Sequence, residues 1–400
     1  MKILHVLTQL PEKTGSGVYF SNLIENLERL GYENAAIYGT EEKFNIKKIA
    51  DYDYPVFYNT KGLNFHIAGM SDIMPYESTV YSQMSDDMIE DLLDSFEKKL
   101  LKAKIEFKPD IIISHHLFFI TDLVRRVFKD KQVIGISHGT DIRQSLKHER
   151  FLERLKNIKD LDKVLTVTDG YDDQIKEYLK VSPKKITLVG GAYNKKIFYP
   201  KVGEENKKTK IIYAGKIAES KGVLALSEMA KLLDQENFSY EMHIVGNSSD
   251  YMEQKIIEIS NNSPNIKLYN AQDQMKMADH LRCADIFILP SYFEALGLIA
   301  IEALACNKKV VVSEIEGLRK LLDQRIIESG VIEFVKLPRL YDVDKPVKED
   351  VKDYANRLKE AVKLQASRNN DEIFTKEIKG LIEIYNWKNL ARRILKIIEE

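Results

Sequence analysis

Cysteine is nearly absent from this chain: Cys283 and Cys306 are the only two in 400 residues. Two cysteines cannot build a disulfide framework, so a reducing compartment is expected. No charge of one sign dominates either. Sixty Lys+Arg against 61 Asp+Glu leave a net charge of -1. A general nucleic-acid binder carries a basic surplus, so no nucleic-acid partner is expected, a local patch aside. No apolar run approaches the roughly 20 residues of a membrane span. The opening run Met1-Lys2-Ile3-Leu4-His5-Val6-Leu7 is too short for a signal peptide, and Gln9 and Pro11 follow it. These absences point to the cytoplasm and leave peripheral membrane contact open. Proline (10) and glycine (19) are too sparse for a collagen-like or low-complexity chain. At roughly 100–200 residues per domain, the length predicts two or three domains.

What is present is alternation. Short Ile/Val-rich runs stand at Ile3–Leu7, Asn34–Tyr38, Asp110–Ser114, Gln132–Ser137 and Lys163–Thr168, with amphipathic stretches between them. Ile111-Ile112-Ile113 is continuously apolar, as in strands buried on both faces. Val18–Leu30 sets Val18, Leu23, Leu27 and Leu30 on one helical stripe, and Gly31 is a plausible stop. Strand–helix–strand order predicts a doubly wound parallel sheet. The pattern restarts at Ile211–Ala214, Glu241–Val245, Ile266–Tyr269, Ile286–Leu289 and Val310–Ser313. Two α/β domains are therefore expected: 1–197, completed by a C-terminal helix at 385–400, and 205–384. The linker falls near 197–209. Residues 51–90 read as an irregular insertion.

Ligands of such folds bind at the carboxyl ends of strands, so the strand-to-helix junctions are the candidate sites. Thr14-Gly15-Ser16-Gly17 follows the first strand and could offer backbone amides to an anion, although a plain turn explains it too. It is a poor dinucleotide fingerprint, because Phe20 stands where a third glycine belongs. Ser137-His138-Gly139-Thr140-Asp141 sets a His and an Asp at a buried strand's end. In Gly215-Lys216…Lys221-Gly222, two lysines five apart could clamp a diphosphate, or could be a solvated loop. The most informative segment runs from Pro290-Ser291 through Glu294 to Glu302. Helix is expected from Leu296 onward, which makes Glu302 an acid in an apolar segment, where a carboxylate needs a partner. Eight helical residues span about 12 Å, the reach of a nucleotide diphosphate-sugar. Phosphates would take the N-terminal amides and ribose hydroxyls would reach Glu302. Asp51-Tyr52-Asp53 and Asp342-Val343-Asp344 have the D-x-D form some transferases use for metal, but lie in irregular regions. His115-His116 lacks further ligands at metal spacing, and one of the two could line the cleft instead.

At these motifs the whole chain resembles glycosyltransferase family 4, retaining enzymes of the GT-B fold, an α/β architecture of two Rossmann-like doubly wound domains facing across a cleft. The strongest element is the E-x7-E motif, Glu294 to Glu302. Gly15–Gly17, His138, Gly215…Gly222, Val245-Gly246, Gly191–Pro200 and Trp387 support it. The resemblance implies that Lys216 and Lys221 hold the donor diphosphate and that His138 contacts the transferred sugar. Glu294 with Ala295, Leu296, Gly297 and Leu298 would bind sugar hydroxyls and phosphate, and Glu302 the ribose. Gly215 and Gly246 would border the donor. The first domain would bind the acceptor; its Gly15-Ser16-Gly17 amides are counted as donor contacts as well. No cofactor or metal is implied, because lysines and helix amides neutralise the leaving diphosphate. The sequence departs from the family at Lys216 for arginine, which keeps charge but loses the bidentate fork. It departs again at Asn307 and at Glu316, both at positions of glycine. The segment His138–Ile142 with Gly15–Val18 resembles the branch that glycosylates malate in bacillithiol synthesis, which implies a small polar acceptor with Thr14, Asp141 and Arg143 near it. A glycan or lipid-linked glycan stays open as acceptor, as does oligomeric state. The reading is a retaining transferase using a nucleotide diphosphate sugar, a uridine one by the family's usage; the rivals are a GT-B sugar-nucleotide epimerase and a non-catalytic nucleotide-sugar-binding subunit.

Overall fold

The computed structural model describes residues 1–11, 13–201, 207–270 and 273–400. It divides into two compact domains, Met1–Gly191 with Trp387–Glu400, and Ala192–Asn386. Part of the expected linker, 202–206, lies outside the described residues.

The first domain holds β1 (Lys2–Leu7), β2 (Glu33–Thr40), β3 (Tyr52–Phe57), a short pair β4 (Ala68–Gly69) and β5 (Thr79–Val80), then β6 (Ile111–His115), β7 (Gln132–Ser137), β8 (Lys163–Thr166) and β9 (Ile186–Leu188). Its main sheet has the order β3-β2-β1-β6-β7-β8-β9, and every pairing in it is parallel. Ile112, Ile113, Val133 and Ile134 are fully buried, which is why these strands read as unbroken apolar runs rather than alternating ones.

The stretch 51–90, expected to be irregular, contains β3. Its sequence Tyr-Asp-Tyr-Pro-Val-Phe hides the strand, because β3 is the sheet edge and only Tyr54 and Val56 are buried. An edge also tolerates Pro55, which has no N–H to give to a ladder. Asp53 has a local role there. Its carboxylate accepts from the amides of Ile49 (2.9 Å) and Ala50 (3.1 Å) and ties down the loop into the strand.

The helix Trp387–Glu399 packs on the first domain, not the second. Trp387, Leu390, Ile394, Leu395 and Ile398 form its buried stripe at helical spacing. Each such side chain is worth roughly 1.5–3 kcal/mol on burial. Trp387 meets Tyr19 edge-on at 5.1 Å between centroids, and Gln132 donates to the Ile398 carbonyl at 2.9 Å.

The second domain holds β10 (Thr209–Ala214), β11 (Tyr240–Val245), β12 (Ile266–Tyr269), β13 (Ile286–Leu289), β14 (Lys309–Ser313) and β15 (Ile332–Val335). A hairpin of β16 (Leu340–Asp342) and β17 (Lys345–Pro346) follows, in which Asp342 pairs with Lys345 at 3.0 Å. The sheet order is β12-β11-β10-β13-β14-β15, again all parallel. The helix Val223–Gln235 buries Val223, Leu226, Met229, Ala230 and Leu233, one face of a regular helix. In both sheets the chain first builds outward from a central strand, then crosses back to its other side. That leaves a reversal of order between β1 and β6, and another between β10 and β13. Crevices at such reversals are where open α/β sheets take ligands.

Candidate functional site

In the second domain three strand ends converge. Gly215 follows β10, Gly246 follows β11 and Pro290 follows β13. Their backbones touch. A Cβ on Gly246 would meet the Gly215 carbonyl oxygen at 1.8 Å, and one on Gly222, at φ +71°, would meet the Pro290 carbonyl oxygen at 2.0 Å. Only glycine allows that approach, and at Gly222 only glycine takes the backbone angle without strain. Two further ties hold the Pro290 turn. The Tyr354 hydroxyl donates to the Pro290 carbonyl at 3.0 Å and shares a 2.7 Å bond with Ser313 Oγ. The Tyr292 amide donates to the Ser220 carbonyl at 3.1 Å.

On this frame Lys221 and Glu294 meet. Lys221 Nζ donates to Glu294 Oε1 at 2.8 Å and to the Phe293 carbonyl at 3.3 Å. Ser291 Oγ donates to the same carboxylate oxygen at 3.1 Å. One carboxylate oxygen thus carries both donors, and Oε2 accepts nothing among the described residues. Lys216 is exposed, and its side chain has no hydrogen bond or ion pair among the described residues. Beside it opens a cavity of about 730 Å³ lined by Gly215, Lys216, Gly246, Asn247, Ser249 and Met252, among others. That volume suits a nucleoside-sized ligand. The cavity does not include Glu294 or Glu302, so it is one lobe of the candidate site and not the whole of it.

Helix does not begin at Leu296, as expected, but at Leu298; it runs to Ala305 with Gly297 as its N-cap. Glu294–Gly297 is a turn, so the Glu294-to-Glu302 step is only half helical. The 12 Å figure for an all-helical step does not apply. Ala295 and Leu296 lie in the turn, and Gly297 and Leu298 open the helix. Glu302 sits on the second turn, partly buried, and no described residue hydrogen-bonds or pairs with its carboxyl. Burial pushes that carboxyl up to about 7. Uncompensated desolvation raises an acid's pKa in this way.

The two glycine departures have local explanations. Asn307, just past the helix, has φ +56°. Asn is the residue other than Gly that enters this left-handed cap most readily. Glu316 is exposed and pairs with Lys320 one turn on, at 2.8 Å.

In the first domain Thr14 is the N-cap of the helix Gly15–Arg29. Its Oγ1 accepts from the Gly17 amide at 3.0 Å and from Gln9 Nε2 at 2.9 Å. The Gly17 amide, expected to face a ligand anion, is therefore already spent on the cap. Gln9 Nε2 also reaches Ser16 Oγ at 2.6 Å. Asp141, expected near the acceptor, is fully buried. Its carboxylate accepts from the Leu117 amide (2.7 Å), Ser137 Oγ (3.1 Å) and the His138 amide (3.1 Å). Burial pushes its pKa up, and these donors oppose the shift. It braces the loop that carries His138, and its full burial keeps it from a ligand. Arg143 is exposed, with no partner among the described residues.

His138 stands at the end of β7. Burial drives its pKa down to about 3, so the ring is neutral. It is not alone. His115 and His116, read from the sequence as a metal pair short of further ligands or as a source of one cleft-lining ring, both pack against it. His115 Nδ1 lies 3.1 Å from His138 Nε2, and the His116 ring lies 4.9 Å away between centroids. Two consecutive histidines at a strand's carboxyl end were the available signal. Among the described residues no group of three or more His, Cys, Asp or Glu is arranged to hold a metal ion. No helix among them is long and apolar enough to cross a membrane.

Residues 194–336, most of the second domain, match the family model Glycosyl transferases group 1. The chain is a glycosyltransferase of the GT-B fold. An uncharacterized glycosyltransferase of Methanocaldococcus jannaschii is 22% identical over 99% of this chain and 97% of its own. A glycosyltransferase structure from Rickettsia africae ESF-5 aligns with TM-score 0.67 at 15% identity, covering 100% and 97% of the two chains. The lipopolysaccharide outer core galactosyltransferase WaaB aligns with TM-score 0.64 at 17% identity, covering 100% and 99%. At these identities the structures speak for the fold of this glycosyltransferase; its chemistry has to be read from its own side chains.

Proposed function

We propose that this glycosyltransferase moves a sugar from a uridine diphosphate sugar to a hydroxyl on a small polar acceptor, with retention and without a metal. The observation that carries the reading is Glu302. A partly buried carboxyl with no internal partner is costly. A ligand whose hydroxyls donate to it repays that cost, and a ribose is such a ligand. Lys221 and the exposed Lys216 supply two positive charges at the β10 end for a diphosphate, and the developing charge on the leaving group is what they would stabilise. The free Oε2 of Glu294 is placed to accept from sugar hydroxyls. In the first domain His138 is the candidate contact for the transferred sugar, and the exposed Arg143 is the candidate for an anionic acceptor. Retention rests on the resemblance in motif alone.

The test is thermal-shift titration with uridine, guanosine and adenosine diphosphates and their sugars, with and without magnesium. A ligand at 100 times its Kd stabilises by about 2.7 kcal/mol. A uridine-selective shift that ignores magnesium is expected, and Glu302→Ala should abolish it. Equal nucleotide affinity in the variant would sink the site assignment. Donor consumed without acceptor to give a free epimer would replace transfer by epimerisation.

A further inference from the structure

The first domain packs four histidines together around Tyr19 and Phe20: His5, His115 and His116 are buried and His138 is half-buried. Their hydrogen-bond accounting fixes which nitrogen of His138 carries the proton. Desolvation keeps all four rings neutral, so each has one N–H donor and one bare acceptor. An orphaned buried donor is rarer than an orphaned acceptor.

His5 shows the rule at work. Its Nε2 lies 3.0 Å from Asn34 Oδ1, whose amide nitrogen donates to the Tyr32 carbonyl at 2.8 Å. His5 must therefore donate from Nε2, and its partnerless Nδ1 is the bare acceptor. For His115, Nε2 is buried without a partner and Nδ1 faces His138 Nε2. If His115 carried its proton on Nε2, a buried N–H would go unmet. If it carries the proton on Nδ1, that N–H is satisfied by His138 Nε2 and only a lone pair is orphaned. The second arrangement leaves no buried donor unmet, which is the costlier kind of orphan.

The geometry points to His115 as a positioning residue: its Nδ1–H donates to His138 Nε2 and holds His138 as the tautomer with its proton on Nδ1. His138 Nδ1 has no partner among the described residues and, unlike the nitrogens of His116, is not sealed from solvent. The strand end therefore offers a ligand an N–H donor. It selects an oxygen lone pair and cannot accept from a hydroxyl at that atom. Only the choice of ligand here rests on the reading of His138 as the sugar contact; the tautomer does not.

Two-bond ¹⁵N–¹H correlation spectra of the histidine rings in the full-length protein decide the tautomer. His138 is expected to show a protonated Nδ1 and a bare Nε2; a protonated Nε2 overturns the proposal. This measurement stands even if variants fold poorly. In His115→Leu the His138 signals should move to a mixture of tautomers, and kcat should fall about tenfold or more, as for the loss of one orienting hydrogen bond. Donor KM should hold. His115→Asn, which restores an N–H donor near the Nδ1 position, should recover part of the rate. A folded His115→Leu with the wild-type tautomer and rate refutes the positioning role. Full transfer by His138→Ala would instead overturn the sugar-contact reading, which the spectra do not depend on.

Discussion

Replacing Glu302 by Gln should change how stability depends on pH. The carboxyl sits near 7 in the folded protein against an ordinary 4.5. The folded state thus holds this proton more tightly than the unfolded state. Below about 4.5 both states are protonated and the group costs nothing. As pH rises from there through 7, folding must be achieved with an increasingly reluctant acid, and stability is lost at about 1.4 kcal/mol per pH unit. Above 7 the loss levels off, at about 3 kcal/mol. Gln carries no proton to lose, so it removes the slope. Its own unmet amide adds an offset that does not vary with pH. The assay is calorimetric melting of wild type and Glu302→Gln between pH 5 and 8.5. In a domain of about 195 residues, each kcal/mol shifts the midpoint by about 2–4 °C. The difference between the proteins should therefore drift by roughly 6–12 °C in favour of the variant from low to high pH, with its steepest part below 7. A difference that stays constant across the range refutes the claim that Glu302 lies buried without a partner. Saturating nucleotide should also flatten the wild-type curve, because a ligand that donates to the carboxylate cancels the cost being measured.

Tyr354→Phe removes the donor to the Pro290 carbonyl and leaves Ser313 half satisfied; chemical denaturation should find it about 1–3 kcal/mol less stable. Its nucleotide affinity should fall too, since the turn that carries Ser291 and Glu294 loses its anchor. Gly246→Ala sets a methyl group 1.8 Å from the Gly215 oxygen. The ends of β10 and β11 must then part, and calorimetric titration should show nucleotide binding weakened more than tenfold in a protein that still folds.

Much of the sheet was legible because its strands are buried on both faces. Ile286–Leu289 is found where its apolar run lies, and the run at Val310–Ser313 gains only Lys309; the edge strand Ile266–Tyr269 was legible from its apolar residues despite its exposure. β3 was not legible, because an edge strand with Pro55 and two solvent-facing aromatic residues has neither the run nor the alternation that marks a strand. The motif from Ser291 to Glu302 was visible in spacing, but its helix was read two residues long. Apolar residues at 296–297 favour burial, and burial alone does not separate a tight turn from a first helical turn. Asp141 and Gly17 were plausible ligand groups in sequence; only three dimensions show that local caps and amides consume them. Tyr354 gave no signal, since its contact with Pro290 spans 64 positions.

The helix Trp387–Glu399 places the last stretch of the chain against the first one. The domain whose strands are made first is the one finished last. Until residues 387–399 have been synthesised, Tyr19 lacks its indole neighbour and the carbonyl of Val189 lacks the Arg393 guanidinium 3.1 Å away. A nascent first domain must wait, with that flank uncovered, while the whole second domain emerges and folds. A single cut between the domains would therefore release one sound piece and one incomplete piece, and the incomplete one would be the domain that carries His138.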